Sequence, residues 1–146
     1  MAKIERILIR ETANGPSIDL ERAVVAPGEA IAGDRYAPDN GSGTFYEAGK
    51  DGQDVTLIEA EALEDTGLSA EESGRNVVTR GIALNALVGK RFRIGAVELQ
   101  GNRLCDPCRT LRDRTGVFKE LVDRGGLRAD VLVAGEIAAG DEIAEL

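Results

Sequence analysis

Glycine divides this chain into pieces too short for long helices. Eighteen of its 146 residues are glycine, and Gly15, Gly28, Gly67, Gly74, Gly95, Gly116, Gly125, Gly126 and Gly140 separate apolar stretches of strand length. Tight turns between short β-branched runs point to a strand-rich fold. Aromatic residues make up 3% of the chain and tryptophan is absent, so the core has to be built from Val, Ile, Leu and Ala. The length fits a single domain, 1–146, large enough to bury a real core.

Taken in order, residues 3–10 (KIERILIR) read as a first strand and 20–25 as a second, stopped by Pro27-Gly28. A Gly/Asp/Asn/Ser-rich loop occupies 38–52. Residues 55–58 form a short strand that runs into a helix over 59–66, with Gly67 at its C-terminal cap. Ser69 and Glu72 fit a capping box for one further helical turn, closed by Gly74. Strands follow at 77–79 and, as a hairpin turning at Gly95, at 91–103. Thr115 is placed to cap a helix over 116–124, in which Phe118, Leu121 and Val122 share one face. Strands at 127–134 and 142–146 close the chain around Gly140-Asp141. Seven or eight short strands and two to four short helices, without regular βαβ alternation, predict a mainly β fold: a mixed or antiparallel β-barrel with peripheral helices.

Several functions are disfavoured at once. Histidine is absent, which removes Ser-His-Asp and Cys-His catalysis and every His-containing metal site. The net charge of −8 argues against nucleic acid as the main partner. No apolar run is long enough for a membrane helix and the N-terminus lacks a signal-peptide core, so a cytoplasmic location is expected, with no membrane partner. Charge is unevenly distributed. Residues 75–128 hold 12 Lys/Arg against 5 Asp/Glu, and the remainder holds 6 against 21. A small anionic ligand near the basic segment is the functional reading, and solvated charged faces are the plain one.

That basic segment contains both cysteines, in RLCDPCRTLRDRTG. Cys105 and Cys108 lie just beyond a predicted strand end, with Arg103, Arg109, Arg112 and Arg114 around them. Nearby positive charge favours the thiolate, which is both the nucleophile and the metal ligand. Structural zinc needs four N or S ligands, which only a symmetric dimer of this chain would supply. A thioredoxin-like dithiol is compatible with C-x-P-C, but no proline follows Pro107 to serve as that family's downstream cis-proline. Burial as two small hydrophobic side chains is the remaining reading of the pair.

The succession GRNVVTRG (74–81), VGKRFRIGAVEL (88–99), RLCDPC (103–108), DRTG (113–116), RGGLRADVL (124–132) and GEIAAGDEI (135–143) resembles the MOSC domain. This domain occurs at the C-terminus of molybdenum-cofactor sulfurases and in amidoxime-reducing molybdoenzymes. Gly33-Asp34-Arg35 is similar to the GDR segment of small stand-alone members, so the resemblance covers residues 30–146. It implies a β-barrel with added helices. It also implies that Cys108, followed by Asp113 and Thr115-Gly116, is the principal thiol and Cys105 the less constant one.

Two roles for Cys108 follow from the resemblance. As a molybdenum ligand, its soft thiolate would complete the coordination beside molybdopterin, with Arg75, Asn76 and Arg80 holding the pterin or phosphate for a redox reaction. As a sulfur carrier, it would accept sulfane sulfur as a persulfide, with Cys105 able to resolve it as a disulfide. The chain would then be a molybdenum-cofactor-dependent oxidoreductase or a sulfur transferase, and a non-catalytic docking module is the third possibility. Pro107 replaces the arginine of the larger enzymes. The resemblance does not extend to the N-terminal partner domain or the pyridoxal-phosphate desulfurase domain of those enzymes, which implies either a separate desulfurase or molybdoenzyme partner or a different way of binding the cofactor. The oligomeric state is not readable.

Overall fold

The computed structural model describes residues 1–12, 15–37, 52–105, 115–116 and 119–146. The strands among them are β1 (Lys3–Ile9), β2 (Ile18–Leu20), β3 (Arg22–Ala26), β4 (Ala30–Ile31), β5 (Val55–Glu59), β6 (Val77–Arg80), β7 (Arg91–Ile94), β8 (Val97–Leu104), β9 (Leu127–Val133), β10 (Gly135–Ala138) and β11 (Ile143–Glu145). Two helices, α1 (Ala60–Thr66) and α2 (Ala70–Ser73), lie between β5 and β6, and 3-10 turns cover Leu84–Leu87 and Lys119–Leu121.

Eight strands form one sheet in the order β11-β7-β8-β9-β5-β6-β1-β2, and β10-β3-β4 form a second. Every pairing is antiparallel except β5 with β6, which the two helices connect as a crossover. The mainly β, mixed-sheet expectation therefore holds. No closed barrel is found among the described residues: the ladder runs from β11 at one edge to β2 at the other. The start of β1 does meet the last turn of the chain. Ile4 N–H donates to the Asp141 carbonyl at 2.9 Å, Gly140 N–H to that of Ile4 at 2.8 Å and Ile143 N–H to that of Ala2 at 3.1 Å.

Alternation along the strands decides which side chains are buried. In β8, Val97, Leu99 and Gly101 point inward while Glu98, Gln100 and Asn102 are half-exposed, the period-2 pattern of a sheet with one covered face. One cluster, with Phe92, Ile7, Leu57, Val77 and Leu127 fully buried, fills the principal core. A second, smaller cluster joins Leu8, Ile58 and Val78 to Leu63 and Leu68 beneath the helices and to Leu121. Consecutive residues of β6 therefore serve opposite faces, Val77 the first core and Val78 the second.

The two short helices are set by their ends. Gly67 takes the left-handed conformation at φ 73° and donates its N–H to Leu63 O, closing α1. Ser69 and Glu72 form the expected capping box: the serine hydroxyl accepts from Glu72 N–H and the glutamate carboxylate accepts from Ser69 N–H, both at 3.0 Å. The helix expected over 116–124 is not seen. Described residues there show only the 3-10 turn at Lys119–Leu121, and Thr115 itself has helical backbone immediately before Gly116 at φ 75°. A segment fenced by glycines on both sides is too short for a stable helix without extensive packing, and one turn suffices to bury Leu121. Phe118 lies outside the described residues.

Candidate functional site

Three arginines distant in sequence converge at the C-terminal end of α2. Arg10 follows β1, Arg35 lies in the turn after β4 and Arg75 follows the Gly74 cap, and all three line one small cleft with Leu8, Ser17 and Gly74. Each donates to a carbonyl of the last turn of α2 or of its cap, and Glu71 O also accepts the Gly74 N–H at 3.4 Å. Arg10 Nη2 donates to Glu71 O, Arg75 Nη1 to Ser73 O at 3.1 Å and Arg35 Nη2 to Gly74 O at 3.4 Å. Cations at a helix C-terminus also complement the partial negative charge there. The arrangement follows from the capping box and Gly74, which stop α2 after one turn and present its last carbonyls to the cleft.

Asp34 fixes the turn that carries Arg35. Its carboxylate is fully buried and accepts from the backbone N–H groups of Arg10 at 3.0 Å and Tyr36 at 3.3 Å, with the Arg35 guanidinium 3.5 Å away. The Arg35 guanidinium carbon also stands 4.7 Å from the Tyr36 ring centre, within cation–π range. Among described groups, Asp34 is the acidic residue built into this corner.

Arg75 reaches from the cleft toward the cysteine segment. Its Nε donates to Gly125 O at 2.8 Å, and the neighbouring carbonyl, Gly126 O, accepts the backbone N–H of Cys105 at 2.7 Å. Gly126 has φ 108°, and a Cβ there would lie 1.9 Å from Leu57 O. Glycine is thus required for the 125–126 turn to press against β5, and this contact holds Arg75 and Cys105 on either side of it. Cys105 is a free thiol, 1% exposed, at the end of β8. Cys108 and Asp113 lie outside the described residues.

Asn76 occupies a different kind of position. It is 2% exposed, and its carboxamide extends the sheet ladders where β6 begins. Oδ1 accepts from both the N–H and the hydroxyl of Thr56 at 3.1 Å, and Nδ2 donates to Leu8 O at 3.1 Å. Its backbone completes the same links, donating to Thr56 O at 3.0 Å and accepting from Leu8 N–H at 2.6 Å. Asn76 fastens β6 to β1 and β5 and thereby sets the direction in which Arg75 leaves the sheet.

Arg80, at the end of β6, is not brought to the arginine cleft. It pairs with Glu5 and Glu64 at the edge of a separate cleft beside α1, and hydrogen bonds to Glu64 and then Glu5 hold its guanidinium more firmly protonated than usual. The structure therefore groups Arg75 with Cys105 and places Asn76 beneath Arg75. Arg10 carries no motif, and only its position at the end of the first apolar strand marked it. Arg35 is legible in the sequence only as part of Gly33-Asp34-Arg35, whose plain reading is a turn and its ion pair. Among the described residues, no group of three or more His, Cys, Asp or Glu side chains is placed to hold a metal ion, and no helix is long and apolar enough to cross a membrane.

A second buried carboxylate serves the scaffold. Asp54, 3% exposed, accepts from Val131 N–H at 3.0 Å and from the N–H groups of Gly28 and Ala30 at 3.2 Å. It ties the β3–β4 turn to β9. Burial pushes its pKa up; the three N–H donors pull it back, and the negative charge of Asp130 adds to the rise.

Comparison with known proteins identifies the family and the fold. The model of the MOSC domain matches residues 51–144. No curated protein matches the sequence. Among solved structures, the YuaD protein from Bacillus subtilis is similar with a TM-score of 0.73 at 20% identity, over 97% of this chain and 93% of that one. YiiM from Geobacillus stearothermophilus gives 0.71 at 15% identity over 100% and 75%, and YiiM from Escherichia coli 0.68 at 15% over 100% and 70%. At these identities the likeness concerns the fold.

Proposed function

Because the chain belongs to the MOSC domain family, which is linked to binding of the molybdenum cofactor, we propose that it binds a phosphate-bearing molybdopterin beside the Arg10–Arg35–Arg75 cleft. In this reading the Cys108 thiolate is the metal ligand, and the chain acts in an oxidoreductase reaction. One observation carries the proposal: Arg75 and Cys105 meet the adjacent carbonyls of Gly125 and Gly126, which brings the basic cleft to the cysteine segment.

The donor set fits the group. Guanidinium groups bind phosphate through charge-assisted, often bidentate hydrogen bonds, and three of them here share a cleft with one buried carboxylate close by. A soft thiolate suits molybdenum beside dithiolene sulfur. When bound, the cofactor would supply two-electron redox chemistry at the metal. The chain's own contribution is to hold and orient: Arg75 and Arg35 take the anionic end, Asp34 fixes Arg35, and Asn76 positions Arg75 from below. Cys105, buried at the end of β8, anchors the segment through its backbone. The hydrogen bonds between residues 2–4 and 140–143 are read as the seam of a MOSC-type barrel.

The test is molybdenum content and pterin fluorescence of protein purified from a cofactor-producing host. Wild type should carry both. Arg75→Ala should lose both, and Cys108→Ser should lose molybdenum while retaining more of the pterin. Reproducible absence of both from wild type would overturn the proposal. If desulfurase treatment then added about 32 Da, one sulfur, to wild type but not to Cys108→Ser, sulfur carriage would replace it.

A further inference from the structure

We propose that the cleft bounded by β1, β6 and the α1–α2 layer is a docking site for a partner protein, taking an apolar side chain flanked by Lys or Arg. The cleft has a volume of about 370 Å³, which is on the scale of ligand pockets. Its walls are apolar: Ala60, Leu63, Leu68, Ala70 and Val78 all line it and all belong to the second core cluster.

The rim is acidic. Arg80 lies between Glu5 and Glu64, and Arg6 between Asp19 and Glu71, so two guanidinium groups face four carboxylates. Around them the stretch 59–74 holds six acidic residues and no basic one. The carboxylates are accessible: the side chains of Glu64, Asp19 and Glu71 are 59%, 57% and 46% exposed. An incoming cation would find acceptor oxygens with remaining lone pairs, and the negative field would steer it.

The distribution of polar groups favours a protein segment over a small molecule. Small-molecule sites place a few buried polar groups to fix orientation. Here the charged groups stand on the rim, and the Ser69 hydroxyl is committed to the capping box. Apolar depth with a charged margin is the layout of a peptide groove.

Glu71 connects this cleft to the arginine cleft. Its carboxylate accepts from Arg6 at the docking rim, while its backbone carbonyl accepts from Arg10 on the other side of α2. A docked cation that competed for the Glu71 carboxylate would act on the residue that holds Arg10. The docking proposal does not depend on what the arginine cleft binds, and its test is separate.

The probe is a random dodecapeptide display library selected on the immobilised protein, with Glu64→Lys as the counter-screen and Glu136→Lys, on distant β10, as the control. Enriched peptides should pair Lys or Arg with a large apolar residue. As synthetic peptides they should shift the amide resonances of Leu63, Leu68, Ala70 and Val78. Glu64→Lys should weaken them at least tenfold and Glu64→Gln by less, while Glu136→Lys should leave them unchanged. The proposal is overturned by no enrichment, by enriched peptides without basic residues, by equal binding to Glu64→Lys, or by shifts elsewhere. Phenethylamine shifting the same resonances while no peptide does would assign the cleft to a small organic cation instead.

Discussion

Replacing Asn76 by alanine separates a structural role from a ligand-binding one. The substitution deletes three side-chain hydrogen bonds, two from Thr56 and one to Leu8 O, all at 3.1 Å. The Thr56 hydroxyl keeps a partner, because it still accepts from the backbone N–H of residue 76 at 3.0 Å. Left without their side-chain partner are the Thr56 N–H and the Leu8 carbonyl, in a region where Asn76 is 2% and Thr56 7% exposed. Each buried orphan costs about 1–3 kcal/mol, so the loss from the two should be about 2–6 kcal/mol. With a urea m-value of about 2 kcal/mol/M, a 3 kcal/mol loss moves the unfolding midpoint by about 1.5 M.

Asn76→Asp sharpens the test. It keeps an acceptor for Thr56 but turns an oxygen toward the Leu8 carbonyl and buries a charge. Only the protonated acid can donate there, so the carboxyl should titrate higher in the folded than in the unfolded chain. The folded state then holds the proton more tightly, and stability relative to wild type should fall as pH rises from the ordinary aspartate range through the folded value. The assay is urea unfolding of both variants across pH, with no ligand added. An Asn76→Ala midpoint within about 0.3 M of wild type, a shift of only about 0.6 kcal/mol, would refute the fastening role. A deficit of Asn76→Asp that does not change with pH would refute the assignment of Nδ2 to Leu8 O.

Other positions give independent tests. Gly126→Ala forces a Cβ to within 1.9 Å of Leu57 O at φ 108° and should cost more than about 2 kcal/mol in thermal or urea unfolding. Ser69→Ala removes one half of the capping box and should cost about 1 kcal/mol, measured the same way. Asp54 has its pKa raised by burial, so its own contribution to stability falls as pH rises above the ordinary value near 3.8. In Asp54→Asn that slope disappears, and the amide cannot accept all three N–H groups. The variant should be less stable throughout, with a gap to wild type that narrows as pH rises; a gap widening with pH would refute the assignment.

Sequence and structure contributed at different ranges. Local patterns were legible. Gly67, Gly74, Ser69 and Glu72 specify helix ends through contacts within four residues, and the hairpin at Gly95 is set by alternation on both sides of one turn. The short apolar runs between glycines determined a mainly β fold, and the motif order from GRNVVTRG to GEIAAGDEI determined membership in the MOSC family. The isolated 116–124 pattern misled because helical spacing of three apolar residues says nothing of whether the segment has a surface to pack on.

What the tertiary structure alone decided is which residues share a site. Arg10, Arg35 and Arg75 are separated by 25 and 40 positions, and they meet because sheet pairing brings β1 beside β6 and α2 ends between them. Arg75, Asn76 and Arg80 were equivalent as neighbours in sequence. Pairing direction separates them: Arg75 reaches toward the cysteine segment, Asn76 turns into the ladder and Arg80 stands on the face covered by α1. One sequence determines the alternation of side chains along each strand; only the packed sheet determines what each alternate face meets.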